Sequence, residues 1–270
     1  MTELAIIDTA GAGPGWITEP GTSGASRAAG SVRPARVLAV GAHPDDIDFG
    51  AGATLATWAA SGAAVVYCVV TDGGAGGHDR SVRREEMPAI RRAEQRAAAA
   101  AVGASDVLFL GYEDGSVTVT PALRRDLTRA IRSVRPDVVV CPSPVRNWTS
   151  RVQVNHPDHL AVGEATLCAV YPDARNPFAF SELLAEGLEP HEVGAVWLVA
   201  PAQPTVTMDV TDGLDRKLAA LACHVSQLPG GAEQLSGRVA AEGRRVAQAA
   251  GLAEGHYAEA FQVVVTAEGR

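Results

Sequence analysis

The chain has 270 residues, 47% of them hydrophobic, and a formal net charge of −8 at pH 7. That is apolar material enough for one sizeable core, and an acidic balance with no basic stripe argues against nucleic acid as a partner. No apolar run approaches the roughly 20 residues of a membrane span. The four cysteines, Cys68, Cys141, Cys168 and Cys223, show no CxxC spacing, so free thiols in a reducing, cytoplasmic setting are expected. No basic region followed by an apolar stretch opens the chain, so no signal peptide is expected.

Residues 1–34 are rich in Gly, Ser and Pro apart from Leu4-Ala5-Ile6-Ile7. They read as an N-terminal extension with room for one short strand, ahead of a single domain over 35–270. From Arg36 the sequence runs RVLAVGAHPDDIDFGAGATL: a buried strand over Val37–Val40, a polar loop, and a helix from Ala51 to Ser61. Loops at the carboxyl ends of strands are where open α/β sheets bind ligands. Val65–Val70 forms the second strand, followed by Thr71-Asp72-Gly73-Gly74-Ala75-Gly76-Gly77-His78. This is not the dinucleotide fingerprint, which follows the first strand and opens a helix directly. The glycines are expected to let the backbone approach a substrate. His78 reads as a solvated loop histidine, with substrate contact as the alternative.

Ser81–Val102 is charged and then Ala-rich, a long helix whose Arg84, Arg91, Arg92, Glu94 and Arg96 are mostly a solvated face. A strand over Asp106–Leu110 ends in Gly111-Tyr112-Glu113-Asp114-Gly115. Asp114 either accepts sugar hydroxyls there or simply forms the turn before glycine. Pro121–Arg135 carries Leu123, Leu127, Ile131 and Val134 at helical spacing. Asp137–Cys141 is the fourth strand, and its loop holds Arg146, Asn147 and Trp148. The next helix runs from Asn155-His156-Pro157-Asp158-His159 to Tyr171, with Asn155 as N-cap and Pro157 in the first turn. Pro172–Pro190 is irregular and aromatic, a candidate pocket wall. Strands over Ala195–Ala200 and Val206–Val210, helices over Leu214–Ser226 and Gly231–Gly251, and a strand over Ala260–Thr266 complete the chain. The alternation predicts an α/β fold, a mainly parallel sheet with helices on both faces.

His43 and Asp46 stand three apart with Pro44 stiffening the turn, and both can reach one divalent cation. Asp45 and Asp46 are neighbours that leave the backbone in different directions. One can ligate while the other acts as a base; alternatively, one caps the following helix. His156 and His159, at i and i+3, point from a second strand's loop towards one place. His43, Asp46 and one histidine of that pair make a two-His, one-carboxylate set with an open position. The spare histidine is left to donate to a developing oxyanion, and Asp158 is placed to orient that spare ring.

AHPDD followed downstream by HPDH resembles the signature of the LmbE-like, or PIG-L, superfamily of metal-dependent N-deacetylases. The likeness extends over about residues 35–265, through Thr71-Asp72-Gly73, Arg91-x-x-Glu94, Gly111-Tyr112-x-Asp114-Gly115, Tyr171-Pro172-x-Ala174-Arg175, and Lys217 with His224-x-Ser226-Gln227. It implies a Rossmann-like deacetylase fold. It implies that His43, Asp46 and His159 bind Zn2+, with Fe2+ or another divalent metal as alternatives. It further implies that Asp45 is the general base and that His156 stabilises the oxyanion or acts as acid. Arg91, or an arginine nearer the loop, is then a substrate contact. His224 reads as making a structural hydrogen bond for its HxSQ motif, with a place near the site as the alternative. Where mycothiol-pathway deacetylases place a tyrosine, two residues before the first His of HPDH, this chain has Val154. The activity implied is removal of an N-acyl group, most naturally acetyl, from an amino-sugar-containing small molecule. An amidase on thiol conjugates and a non-catalytic metal- or sugar-binding protein are the rivals. The oligomeric state is left open, a homo-oligomer included.

Overall fold

The computed structural model describes residues 27–28 and 33–266. Its frame is one sheet of eight strands: β1 (Arg27–Ala28), β2 (Arg36–Gly41), β3 (Ala64–Thr71), β4 (Asp106–Tyr112), β5 (Val138–Pro142), β6 (Ala195–Val199), β7 (Val206–Asp209) and β8 (Ala258–Val265). The order is β1-β7-β8-β6-β5-β2-β3-β4. Five pairings are parallel, and β8 alone runs antiparallel, against β6 and β7. The central strands are continuous apolar runs because both faces are covered. Every residue of β5 is buried, and so is all of β2 after Arg36.

Alternation along β2 divides the core in two. Val37 and Ala39 face a cluster with Leu55, Trp58, Tyr67, Trp197 and Phe261. Leu38 and Val40 face one with Leu123, Leu127, Ile131, Val139 and Val162. Helix α1 (Asp46–Ala60) packs with α2 (Met87–Val102) and α6 (Leu214–Ala222) on the first face. Helices α3 (Pro121–Val134) and α4 (Pro157–Cys168) cover the second. A short α5 (Ser181–Ala185) and a long α7 (Gly231–Ala249) complete the set.

From β2 the chain steps outward to β3 and β4, then returns to the other flank of β2 and steps out again through β5 and β6. The connections after β2 and β5 therefore diverge to opposite faces, and a crevice opens between them at the carboxyl edge. This is the switch point where such sheets bind ligands.

Several expected boundaries move for identifiable reasons. Helix α2 starts at Met87 rather than Ser81 because Pro88 sits in its first turn, and a proline cannot lie inside a through-running helix. Helix α1 starts five residues earlier than expected, directly after a left-handed Asp45. The helix expected over Leu214–Ser226 ends at Ala222, and Val225–Gln227 forms a separate 3-10 turn. The segment after α4 is no pocket wall. Its backbone carbonyls at Asp173, Ala174 and Asn176 accept from Arg132 of α3, and His191 bonds Pro136 O just before β5. It belongs to the opposite edge of the sheet, one α4 length of about 18 Å away. Leu4–Ile7 lie outside the described residues.

A candidate metal centre at the switch point

The loop after β2 is a tight turn with Asp45 at φ 102°, a conformation that aspartate tolerates better than most residues. Gln95 Oε1 of α2 accepts the Asp45 N–H at 2.8 Å. Asp46 Oδ2 accepts the backbone N–H of His43 at 2.8 Å. Neither aspartate caps α1 with its side chain, so the capping alternative does not describe this loop.

Three side chains meet here through four donor atoms. Nδ1 of His43 lies 3.3 Å from Asp46 Oδ2, Nε2 of His159 lies 3.1 Å from Asp46 Oδ1, and the two ring nitrogens are 3.3 Å apart. A tetrahedral cation bonded at 2.0–2.1 Å requires ligand separations of about 3.3 Å. The separations among these residues, 3.1–3.3 Å, are of that size. Burial opposes charge on Asp46, but His159 and His43 hold its carboxylate well below the usual range.

The far side of the His43 ring is backed by two carboxylates. Its Nε2 stands 3.1 Å from Asp158 Oδ2 and 3.2 Å from Asp114 Oδ1. An N–H at Nε2 directed to these acids leaves the Nδ1 lone pair facing Asp46 and His159, the arrangement metal-binding histidines use. Burial pulls the imidazole down, yet Asp114 and Asp46 hold it up at about 11, so a cation taken at Nδ1 would displace a proton from that nitrogen. Asp158 is fully buried and also accepts from the N–H groups of Gly115 and Val117. Its carboxylate thus serves the His43 ring and not the His156 ring it was expected to orient. Asp114 binds His43 and the N–H of Ala75, so the turn it occupies is tied to the site as well.

His156, not Asn155, caps α4: its Nδ1 accepts the Asp158 N–H at 3.2 Å. Asn155 instead closes the preceding loop through two bonds with the backbone of Asn147. With Nδ1 accepting, a neutral His156 carries its proton on Nε2. Burial and the neighbouring His43 lower its pKa, which favours that neutral donor. The His156 ring centroid lies 4.8 Å from that of His43. Ligand atoms of His43, His156 and His159 also lie within 4.8 Å of one another, as do those of His43, Asp114 and Asp158.

Asp45 turns away from the cluster. Burial and the Asp46 charge raise its carboxyl to about 7. Arg91, buried, donates to Asp45 Oδ2 at 3.2 Å, to Pro44 O and to Gly73 O. A Cβ at Gly73 or Gly76 would fall inside van der Waals contact with this guanidinium. The space those glycines open is filled by Arg91, not left for a ligand as expected. His78 is exposed.

Two residues here escaped the sequence reading. Gln95 bridges the Asp45 N–H to Asp48, and Asp48 accepts from Gln95, Tyr67 and His224 at 2.8–3.1 Å. All four side chains are buried. His224 thus makes the structural hydrogen bond expected of it. The signal for Asp48 was present, as a lone carboxylate inside an otherwise apolar helix.

The matching family model is described as GlcNAc-PI de-N-acetylase (PIG-L) and covers residues 38–170. The diacetylchitobiose deacetylase of Thermococcus kodakarensis is 33% identical over 194 residues, 72% of this chain and 70% of that protein. A 1D-myo-inositol 2-acetamido-2-deoxy-alpha-D-glucopyranoside deacetylase of Actinosynnema mirum is 30% identical, over 72% of this chain and 81% of its own. Among solved structures, the N,N'-diacetylchitobiose deacetylase from Pyrococcus horikoshii superposes with a TM-score of 0.78 at 29% identity, covering 86% of this chain and 85% of that one. On this family match and these relatives, the chain belongs to the GlcNAc-PI de-N-acetylase (PIG-L, LmbE-like) family.

Proposed function

We propose that the protein is a metal-dependent hydrolase that removes an N-acetyl group from an amino-sugar-containing small molecule. One observation carries this reading. A three-residue cluster of His43, Asp46 and His159 lies beside a further carboxylate, Asp45, that is excluded from it and pinned by Arg91. The three residues suit Zn2+, with Fe2+ or another divalent ion as alternatives. When bound, the cation supplies Lewis-acid activation of water and of the acyl carbonyl.

The remaining steps belong to the chain's own residues. Asp45 takes a proton from the attacking water and passes it to the departing amine as the C–N bond breaks. The Nε2–H of His156 donates to the oxyanion that develops on the carbonyl oxygen. Asp158 positions His43. Asp114 keeps lone pairs beyond those used by His43 and Ala75, and we assign them to a sugar hydroxyl. Arg91 supports the substrate wall from beneath Gly73. The acetylated amino sugar is chosen because the similar proteins from Thermococcus and Actinosynnema are named for such substrates. We further propose a single catalytic domain from residue 35 onward and a cytoplasmic location. No described helix is long and apolar enough to cross a membrane.

The test is acetate release from N-acetylglucosamine-bearing compounds by protein reconstituted with Zn2+. Turnover that disappears on chelation and returns with metal supports the reading. Absence of acetate release across mono- and disaccharide substrates, with metal bound at one equivalent, refutes it.

A further inference from the structure

Lys217 belongs to the motifs that carry the family likeness, yet none of the steps above uses it. It is buried on α6, and its Nζ donates to Glu259 Oε1 of β8 at 2.6 Å and to Phe49 O of α1 at 2.7 Å. Glu259, also buried, accepts from the body of α1. Its Oε1 takes the Ala53 N–H at 3.2 Å, and its Oε2 takes the Thr54 N–H at 2.8 Å and the Thr54 hydroxyl at 2.6 Å. Phe49 O and Ala53 N are partners, four residues apart, in a regular helix ladder. At this step an ion pair supplied by two other elements enters the ladder of α1. Gly52 leaves room for it, since a Cβ there would stand 3.2 Å from Lys217 Cγ.

The insertion sits directly behind the turn that carries Asp45 and Asp46. Phe49 N donates to Asp45 O at 2.9 Å, so the residue whose carbonyl Lys217 grips is the one that closes that turn. Side chains that enter a ladder are a known cause of bends between one stretch of a helix and the next. Stability alone gives little reason for such a pair. Desolvation of two buried charges offsets most of their attraction, and apolar residues of similar volume often serve as well.

We propose that Lys217 and Glu259 are positioning residues for the metal centre. The pair holds the first turn of α1 at the angle that brings the Asp46 carboxylate to His43 and His159. The inference rests on the ligand set of the reading above, and its test does not depend on the reaction.

The experiment compares wild type, Lys217→Met, Glu259→Gln and the double variant Lys217→Met/Glu259→Met. Zn2+ competition titration, the visible spectrum of the Co2+-loaded protein and thermal unfolding in excess chelator are measured on each. The double variant leaves no unpaired buried charge and lets Phe49 O and Ala53 N bond each other, so its unfolding should stay close to wild type. Its Zn2+ affinity should nevertheless fall about tenfold, the low end for groups that support metal ligands, and its Co2+ bands should shift. Each single variant should lose at least as much affinity and also unfold earlier, because one buried partner is left uncompensated. With an acetylated amino sugar, kcat should fall about tenfold or more while KM stays within twofold, as misplacement of reacting groups produces. If the double variant does not fold, Glu259→Gln, which removes the charge alone, carries the same comparison. Wild-type Zn2+ affinity together with an unchanged Co2+ spectrum would overturn the proposal and leave the pair a purely structural one. Failure of wild type to release acetate would instead strike the hydrolase reading, and the affinity and spectral comparison would still decide this one.

Discussion

Asp158→Asn tests how the metal centre is held. Asp158 Oδ2 receives His43 Nε2 at 3.1 Å and Gly115 N at 2.7 Å, while Oδ1 receives Val117 N at 3.2 Å. An amide offers only one oxygen. Turned to keep His43 and Gly115, it sets its NH2 against the Val117 N–H, donor to donor, at a cost of about 1–3 kcal/mol in folding stability. His43 still has Asp114 Oδ1 at 3.2 Å, so Zn2+ affinity should fall near the low end of the roughly 10–100-fold typical for such supporting carboxylates. A tenfold loss corresponds to about 1.4 kcal/mol. Asp114→Asn should behave similarly. In the double variant nothing anionic faces the Nε2–H, and the loss should exceed the product of the two single losses, because each acid covers for the other. Competition titration against a chromophoric chelator measures the affinities, and thermal unfolding in excess chelator measures the stability term alone. Strict multiplication of the single effects, or a double variant that binds Zn2+ as tightly as wild type, would show that these acids do not set the His43 ring.

Other outcomes follow from the same geometry. His43→Ala and His159→Ala should each lose the metal by elemental analysis; a full equivalent in both would disprove the ligand set. Asp45→Asn should lower turnover by roughly 10²- to 10⁴-fold while metal content stays near one, since asparagine also tolerates the left-handed turn; a fully active variant would remove Asp45 as base. Gly76→Ala should displace the Arg91 guanidinium, and a drop in kcat greater than tenfold without loss of metal is the expected reading. A chain starting at Arg33 lacks β1, which pairs with β7 on the edge of the sheet far from the β2–β5 crevice; its turnover should match wild type within twofold.

Much of the site is legible because its polar groups follow apolar strands. Val37–Val40 and Val138–Cys141 announce themselves by composition, and a histidine–aspartate cluster after each is hard to read as surface decoration. What periodicity does not supply is that β2 and β5 are neighbours, which brings His43 within reach of Asp158, 115 residues away. The role of Asp158 is misread for a geometric reason. His156 precedes α4 as its cap, while Asp158 lies in the first turn, where its carboxylate meets His43 from the loop after β2. Gln95 and Arg91 look like part of a charged, solvated face. Only the packing of α2 on α1 buries them, four residues apart on the same side. The glycines at 73 and 76 signal a close approach correctly, but composition cannot say that the partner is an arginine of the same chain.

The separation of roles between two adjacent aspartates has a backbone cause. Had Asp45 taken ordinary helical angles, its carboxylate would lie about 100° around the helix from Asp46, still at the edge of the cation site. The left-handed turn at φ 102° swings it towards α2 instead, where Arg91 meets it and Gln95 holds its N–H. Aspartate in this region costs on the order of 1 kcal/mol. The hydrogen bond from Gln95 offsets that strain and is itself fixed by Asp48, His224 and Tyr67. The buried network is thus not a spare polar core. It maintains the backbone angle that keeps the proposed base next to the proposed metal ligands and out of their cluster.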